Sequence, residues 1–361
     1  MIWATPGRSC YKSFFVGCVS AFQSITTRMR PRFGITAGLL LLVLVGSLFV
    51  YKSAGAVRQL DYARAHGSVA LKADVVSDSD ALPLRVAAGS LNYLAAIWPA
   101  LVFGILISAA VRTYAPVAGL FPGGPVRRQV VAAASGAPLM LCSCCAAPLF
   151  STVYGRSRRL APSLALLLAA PALNPAALAL TFLLFPPVVA WGRLWMSLAA
   201  VLLGTALVAR VVSGEHPGPQ PVSPDDGAGG ASPIAMFAKA SMHVAVRSVP
   251  VILIGIIAAM LFADRFQLQP DASGSLRLWS IAVTAAVAIP IALPTFFEIP
   301  LALTLLDAGA PAGAAAALLF AGPAVNAASL MTVGQMAGWQ AVWAVGAIVW
   351  LIAFLGGLAM S

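Results

Sequence analysis

Long apolar runs recur along this chain and are separated by short segments that carry most of its arginines. Residues 34–51 and 91–111 are two such runs, and a helix of that length crosses a hydrocarbon core about 30 Å thick. Only 9% of the residues are charged and 60% are hydrophobic, whereas a soluble domain carries charge on about a quarter of its residues. The sequence therefore predicts an all-α polytopic membrane protein.

The basic residues before the first run predict its orientation, because cytoplasmic flanks are enriched in lysine and arginine. They are Arg8, Lys12, Arg28, Arg30 and Arg32. A signal peptide is the alternative interpretation, but no small-x-small cleavage site follows, so we predict an anchor helix. We expect a multi-pass protein of the bacterial cytoplasmic (inner) membrane with a cytoplasmic N-terminus.

Composition divides the chain into six parts. A basic cytoplasmic tail (1–33) and a transmembrane helix (34–53) are followed by a polar extracytoplasmic loop (54–88) and a first repeat (89–212). A flexible cytoplasmic linker rich in glycine, proline, serine and aspartate (213–236) connects it to a second repeat (237–361).

Prolines and their neighbours recur at a nearly constant offset, which indicates an internal repeat. Pro250 and Gly255 follow Pro99 and Gly104 by 151 residues. The residues that recur at an offset of 152 are Pro300, Pro323 and Asn326, which follow Pro148, Pro171 and Asn174.

The loops after the matched segments differ in charge. Arg156, Arg158 and Arg159 follow the first segment, whereas residues 307–311 contain no basic residue, so we expect the two loops on opposite sides of the membrane. Both flanks of residues 130–154 are basic, which predicts a re-entrant hairpin there. Each repeat then has three membrane-spanning helices and one broken hairpin, and the two repeats are inverted. Parallel repeats, with both segments spanning fully, are the alternative.

Three thiols lie within four positions in the segment Pro138-Leu-Met-Leu-Cys142-Ser-Cys144-Cys145-Ala-Ala-Pro148. Cys142 and Cys145 share one face of a helix, and we expect a break near Pro148 to bring Cys144 beside them. Thiols are soft ligands for Cu(I), Zn(II) or a trivalent metalloid, and the Ser143 hydroxyl lies among them. The alternative is that these cysteines are small packing residues.

Glu298 is the one acid that lies in continuous apolar sequence, beside Phe296, Phe297 and Ile299. An intramembrane acid is costly and is a functional candidate by default. We expect burial to favour its protonated form, so that it exchanges a proton during transport. The alternative is a carboxylate at a hairpin tip that is solvated or caps a half-helix. Thr295 supplies a hydroxyl at the same tip.

Asn174 and Asn326 each follow a proline by three positions at matched places in the repeats. Their amides are predicted either to satisfy carbonyls freed by a helix break or to contact substrate.

These residues resemble the predicted permease family that includes the ArsP-type organoarsenical efflux permeases. The resemblance is carried by the segment from Pro138 to Cys144 and by the two Pro-x-x-Asn segments, and it covers roughly residues 90–358. It implies a secondary permease of the cytoplasmic membrane, not an enzyme, with cysteines near the transport pathway.

The first functional hypothesis is proton-coupled efflux of trivalent (organo)arsenic or antimony, and hence arsenic resistance. Cys142, Cys144 and Cys145 would bind the substrate and Glu298 would carry the proton. The alternatives are transport of a sulfur compound or Cu(I), and a membrane thiol oxidoreductase, for which the adjacent cysteines form a disulfide only with strain. We expect no cofactor and no nucleic acid. The expected partners are the lipid bilayer and a small thiophilic substrate, and a homo-oligomer is compatible with the sequence.

Overall fold

The structure is a computed structural model that describes residues 34–66, 82–114, 121, 123–212, 233–265, 277–291, 296–307 and 309–360. Every regular element in these ranges is helical, which confirms the all-α prediction. The tail 1–33, residues 213–232 of the predicted linker and the candidate Thr295 lie outside the described residues.

The first half of the chain contains eight α-helices. They are α1 (Gly34–His66), α2 (Leu82–Tyr114), α3 (Pro125–Gly136), α4 (Ser143–Ser157), α5 (Leu160–Ala172), α6 (Pro175–Leu184), α7 (Pro187–Leu198) and α8 (Thr205–Val211). A π-helical segment, Ala199–Gly204, joins the last two. Helix α1 runs well past residue 53, where the predicted first span ends, because good helix formers continue to His66.

The second half contains six further helices. They are α9 (Pro233–Arg265), α10 (Arg277–Ala288), α11 (Glu298–Asp307), α12 (Ala312–Ala324), α13 (Ala327–Ala337) and α14 (Trp339–Ala359).

Five of these elements are long and apolar enough to cross a membrane, within the part of the chain that the structure describes. They are α1, α2, the run from α7 to α8, α9 and α14. The pairs α5–α6 and α12–α13 also qualify when each is counted as one span, with bends of 42° and 50°. The chain is therefore a multi-pass membrane protein with five to seven candidate spans.

The breaks in the helices recur in the two halves in the same order. A long helix (α2 or α9) is followed by two short helices, then by a bent pair, then by an apolar helix at the end. The bends fall at Asn174 and Asn326, where the sequence repeat places its matched asparagines. The inverted relation between the halves stays a prediction.

Helices α5 and α12 form the centre of the molecule. Nearly every residue of each is buried, and the two helices pack against each other. Helix α12 also packs closely on α14 through small residues, since a Cβ at Gly313 of α12 would collide with the carbonyl of Gly357 in α14.

The outer helices present large apolar side chains on the surface of the molecule. Examples are Trp98, Trp195, Leu203 and Trp343. An apolar surface of this kind requires an apolar surrounding, as expected for helices that contact lipid.

The π-helical segment is held by one buried amide. The Gln129 side chain donates hydrogen bonds to the carbonyls of Val201 (3.1 Å) and Leu202 (2.7 Å) and contacts the Thr205 hydroxyl. A π segment leaves carbonyls without their usual partners, and Gln129 on α3 supplies the missing donors.

Candidate functional site

The thiol segment begins at a break between α3 and α4. A 3₁₀ turn, Ala137–Leu139, ends at Met140, which has a left-handed backbone (φ 50°). Cys142 then has an extended backbone and occupies the N-cap of α4. The expected break at Pro148 is wrong, because Pro148 lies inside α4 and the helix continues to Ser157. The chain turns before the thiols instead of after them.

This turn brings the three sulfur atoms together. Cys142 Sγ lies 3.1 Å from Cys144 Sγ and 2.7 Å from Cys145 Sγ, and the latter two are 4.0 Å apart. The extended backbone at the N-cap lets Cys142 reach both helical neighbours, which a residue inside the helix cannot do. The three form the one group of potential metal ligands among the residues the structure describes.

Helix α2 packs against the three cysteines. The Tyr93 hydroxyl lies 3.3 Å from Cys144 Sγ, and Cys145 Sγ lies 4.0 Å from the Ile97 carbonyl. Gly104 permits the close approach, since a Cβ there would collide with the Cys145 carbonyl oxygen. The glycine that the repeat singled out is thus a helix-contact position.

The site is closed to solvent. Cys144 and Cys145 are fully buried, and Ser143 and Cys142 nearly so. Three sulfurs bound at about 2.3 Å to one tetrahedral centre lie about 3.8 Å apart, so small side-chain movements convert the observed cluster into a three-sulfur ligand set.

The matched asparagines cap the second helix of each bent pair. Asn174 Oδ1 accepts hydrogen bonds from the backbone N–H groups of Ala176 (3.0 Å) and Ala177 (3.4 Å). Asn326 Oδ1 accepts one from the Ser329 N–H (2.9 Å), and the Ser329 hydroxyl accepts one from the Asn326 N–H. The side-chain oxygens therefore satisfy backbone N–H groups at the breaks, whereas freed carbonyls were the expected partners. Substrate contact by either asparagine stays a prediction.

Glu298 is buried at the first turn of α11 and has a partner that the sequence analysis missed. Arg193 Nη2 donates to Glu298 Oε1 at 3.1 Å, and Arg193 Nη1 donates to Thr181 Oγ1 at 2.6 Å. Arg193 lies 105 residues from Glu298 in the sequence and reaches it only through helix packing. The available signal was that Arg193 is the one charged residue in the apolar run 187–209.

The breaks of the two halves approach each other. Met140, from the first break, belongs to a small buried cluster with Ala56 and Ala176, and Phe296, from the second break, packs against that cluster. Phe296 also has a left-handed backbone (φ 77°). The two interruptions thus share one region of the interior.

Two comparisons bear on the family. Residues 84–263 match the model of a family described as predicted permease. The UPF0718 protein YraQ of Escherichia coli (strain K12) is 28% identical over 298 residues, which cover 79% of this chain and 84% of that relative. No solved structure matches the chain.

The match begins two residues into α2 and covers the thiol segment, both halves of the α5–α6 pair and Arg193. The resemblance to the predicted permease family is therefore confirmed, and the matched residues include the cysteine segment and the first Pro-x-x-Asn segment. The chain is thus similar to a family of predicted permeases, and this similarity supports a membrane transporter.

Proposed function

We propose that this permease exports a thiophilic substrate, of which trivalent (organo)arsenic or antimony is the best fit, in exchange for protons. The observation that carries the proposal is the cluster of Cys142, Cys144 and Cys145, whose sulfur atoms all lie within 4.8 Å of one another. Soft, trivalent centres bind several thiolates in preference to oxygen or nitrogen ligands.

The position of the cluster favours a transported substrate over a permanently bound ion. The thiols lie at a helix break inside a membrane transporter, where irregular backbone lines binding sites in other transporter folds. Ser143 and the Tyr93 hydroxyl add polar groups at the same place. Asn174 and Asn326 cap α6 and α13, the second helices of the two bent pairs. We include them and Thr295 in the proposed pathway.

Glu298 supplies the proposed proton step. It is the buried acid at the second break. Its ion pair with Arg193 requires the carboxylate to be negatively charged, so protonation would change a contact between two helices. Inverted repeats, a cytoplasmic N-terminus and a location in the bacterial inner membrane complete the proposal, since they place the two breaks at one central site that can open to either side.

A resistance panel tests the proposal. An arsenic-sensitive bacterial host expressing the protein is exposed to arsenite, phenylarsine oxide, antimonyl tartrate and Cu(I). We expect raised tolerance to one or more trivalent metalloids, and loss of that tolerance in C142S, C144S and C145S. The matched control is C10S/C18S, which removes the two cysteines of residues 1–33 and should retain tolerance.

Tolerance to copper alone would favour transport of a soft metal ion. Unchanged tolerance in all three thiol variants, at equal expression, would exclude the cluster as the binding site.

A further inference from the structure

We infer that the ion pair between Arg193 and Glu298 is a latch that holds α11 to the first half of the molecule, and that proton uptake by Glu298 opens it. Arg193 is thereby a positioning residue for transport, with Thr181 as its support. The inference rests on the proposed function for the identity of the proton carrier, and it adds what the proton does.

The Arg193 guanidinium makes fewer hydrogen bonds than it has donors for. Arg193 is fully buried, its Nη2 contacts a single oxygen of Glu298 and its Nη1 contacts Thr181. Its Nε is buried without a hydrogen-bond partner among the described residues. A structural arginine–carboxylate pair usually uses two parallel hydrogen bonds, so this one is weaker than a permanent pair needs to be.

The pair is electrically isolated. Helix α11 packs against α12, and α7 packs against α6, α12, α14 and the π-helical segment. None of those neighbours contains an ionisable residue. The other ionisable residue of α11 itself is Asp307 at its far end, about 14 Å away along the helix axis. The charge of Glu298 therefore decides whether the Arg193 cation has a counter-ion.

Among the helices that the structure describes, α11 has fewer neighbours than its counterpart in the first half. Its main helical neighbour is α12, whereas the matched helix α4 packs against α2, α5, α9 and α13. Phe296, two residues before α11, has a strained left-handed backbone. Ile299 and Ala302 anchor α11 in the core, and the Glu298–Arg193 bond is the polar contact that joins this short helix to α7. Loss of that bond therefore removes one of the contacts that fix its position.

Protonation breaks this bond in a defined way. A proton from water on one side binds a carboxylate oxygen of Glu298, and the guanidinium keeps its charge. A buried cation without a counter-ion is strongly unfavourable, so the population shifts to a state in which α11 moves and water reaches Arg193. Release of the proton to the other side restores the pair and the closed state.

Labelling of an introduced thiol tests the latch without any substrate. Phe297→Cys, at a 40% exposed position beside Glu298, is placed in a protein whose five native cysteines are replaced by serine. Its labelling rate with a maleimide in detergent is divided by that of Gly124→Cys to correct for the effect of pH on thiol reactivity. Gly124 is exposed in the loop before α3, and a Cβ there meets no atom within 4 Å. We expect the ratio to be at least fivefold higher at the lowest pH at which the protein stays folded than at pH 8.

Two variants separate the latch from a structural role. E298Q should give the high ratio at both pH values, because it mimics the protonated acid, and Arg193→Lys should retain the pH dependence. The exposed Thr304→Ala on α11 is the matched control and should behave like the parent. A ratio that does not change with pH in the parent, or a low ratio in E298Q, would overturn the inference.

If the cysteine-free protein does not fold, hydrogen exchange in the protein with its native cysteines is a second test of the latch. At one fixed pH near 7.5, we expect the backbone amides of α11 to exchange at least fivefold faster in E298Q than in the parent. Equal exchange would overturn the inference. Neither assay uses the thiol cluster, so failure of the latch and failure of the resistance panel are separate results.

Discussion

The Tyr93 hydroxyl contacts Cys144 Sγ at 3.3 Å, and this bond joins α2 to the thiol cluster across 51 residues of sequence. Cys144 therefore has a polar neighbour outside its own segment. A hydroxyl in this position can donate a hydrogen bond to a thiolate ligand and stabilise its charge in a buried site.

Replacing Tyr93 with phenylalanine should weaken substrate binding without removing it. The side chain keeps its shape and loses its hydrogen bond to Cys144, which is worth about 1 kcal/mol, or about fivefold in affinity. Binding of phenylarsine oxide to the purified protein measures the change. Tyr154→Phe is the control, because that ring stacks on Phe150 on α4 and its hydroxyl is not among the contacts of the thiols. An unchanged affinity in Tyr93→Phe would remove the hydroxyl from the site.

Substitution of Gly104 by alanine should displace α4 from α2. The new Cβ collides with the Cys145 carbonyl oxygen, which is backbone and cannot rotate away, so we expect a loss of about 1–3 kcal/mol in stability. Thermal unfolding in detergent measures it. Gly46→Ala on α1 meets no atom within 4 Å and should cause no loss. If the two variants unfold at the same temperature, the close approach of α2 and α4 is wrong.

Substitutions at the N-cap of α13 distinguish a structural role of the asparagine from contact with substrate. Asn326→Ala should cost about 1 kcal/mol in stability, because the Ser329 N–H loses its acceptor. Asn326→Ser keeps a capping oxygen but lacks the amide N–H₂. A structural role predicts that Asn326→Ser retains both the unfolding temperature and metalloid tolerance. Loss of tolerance at normal stability would instead assign the amide to substrate contact.

Features set by local chemistry were predictable from the sequence. The helix breaks follow prolines and capping residues, so the matched breaks at Asn174 and Asn326 were expected, and the proximity of the three thiols followed from their spacing. The location of the break before the thiols was not predictable. Pro148 is accommodated inside α4, and the turn depends on the left-handed backbone of Met140. No sequence rule assigns that conformation to a methionine.

Contacts between distant helices were outside the reach of sequence patterns. Tyr93 was one aromatic residue among many, and its role depends on how α2 packs on α4. Arg193 and Glu298 lie in different halves of the chain. Burial of each ion is unfavourable alone, which indicates that each needs a partner, but the identity of the partner depends on the packing of α7 and α11.

The inverted arrangement of the repeats predicts opposite exposure of two matched loops. Ser157 ends α4 beside Arg158 and Arg159, and Ala310 lies in the loop between α11 and α12, which has no basic residue. Each position is changed to cysteine in the C10S/C18S background, and intact cells are treated with a membrane-impermeant maleimide. We expect labelling of Ala310→Cys from outside and labelling of Ser157→Cys only after permeabilisation.

The other outcomes of this experiment are equally informative. The parent background controls for reaction at the buried thiols, since Cys142, Cys144 and Cys145 have little or no exposed surface. Labelling of Ser157→Cys in intact cells would contradict the re-entrant hairpin, because the segment would then cross the membrane. Protection of both positions until permeabilisation would place the two loops on one side and make the repeats parallel. In that case the matched breaks would not face each other across the bilayer, and a single site that opens alternately to the two sides would lose its structural basis.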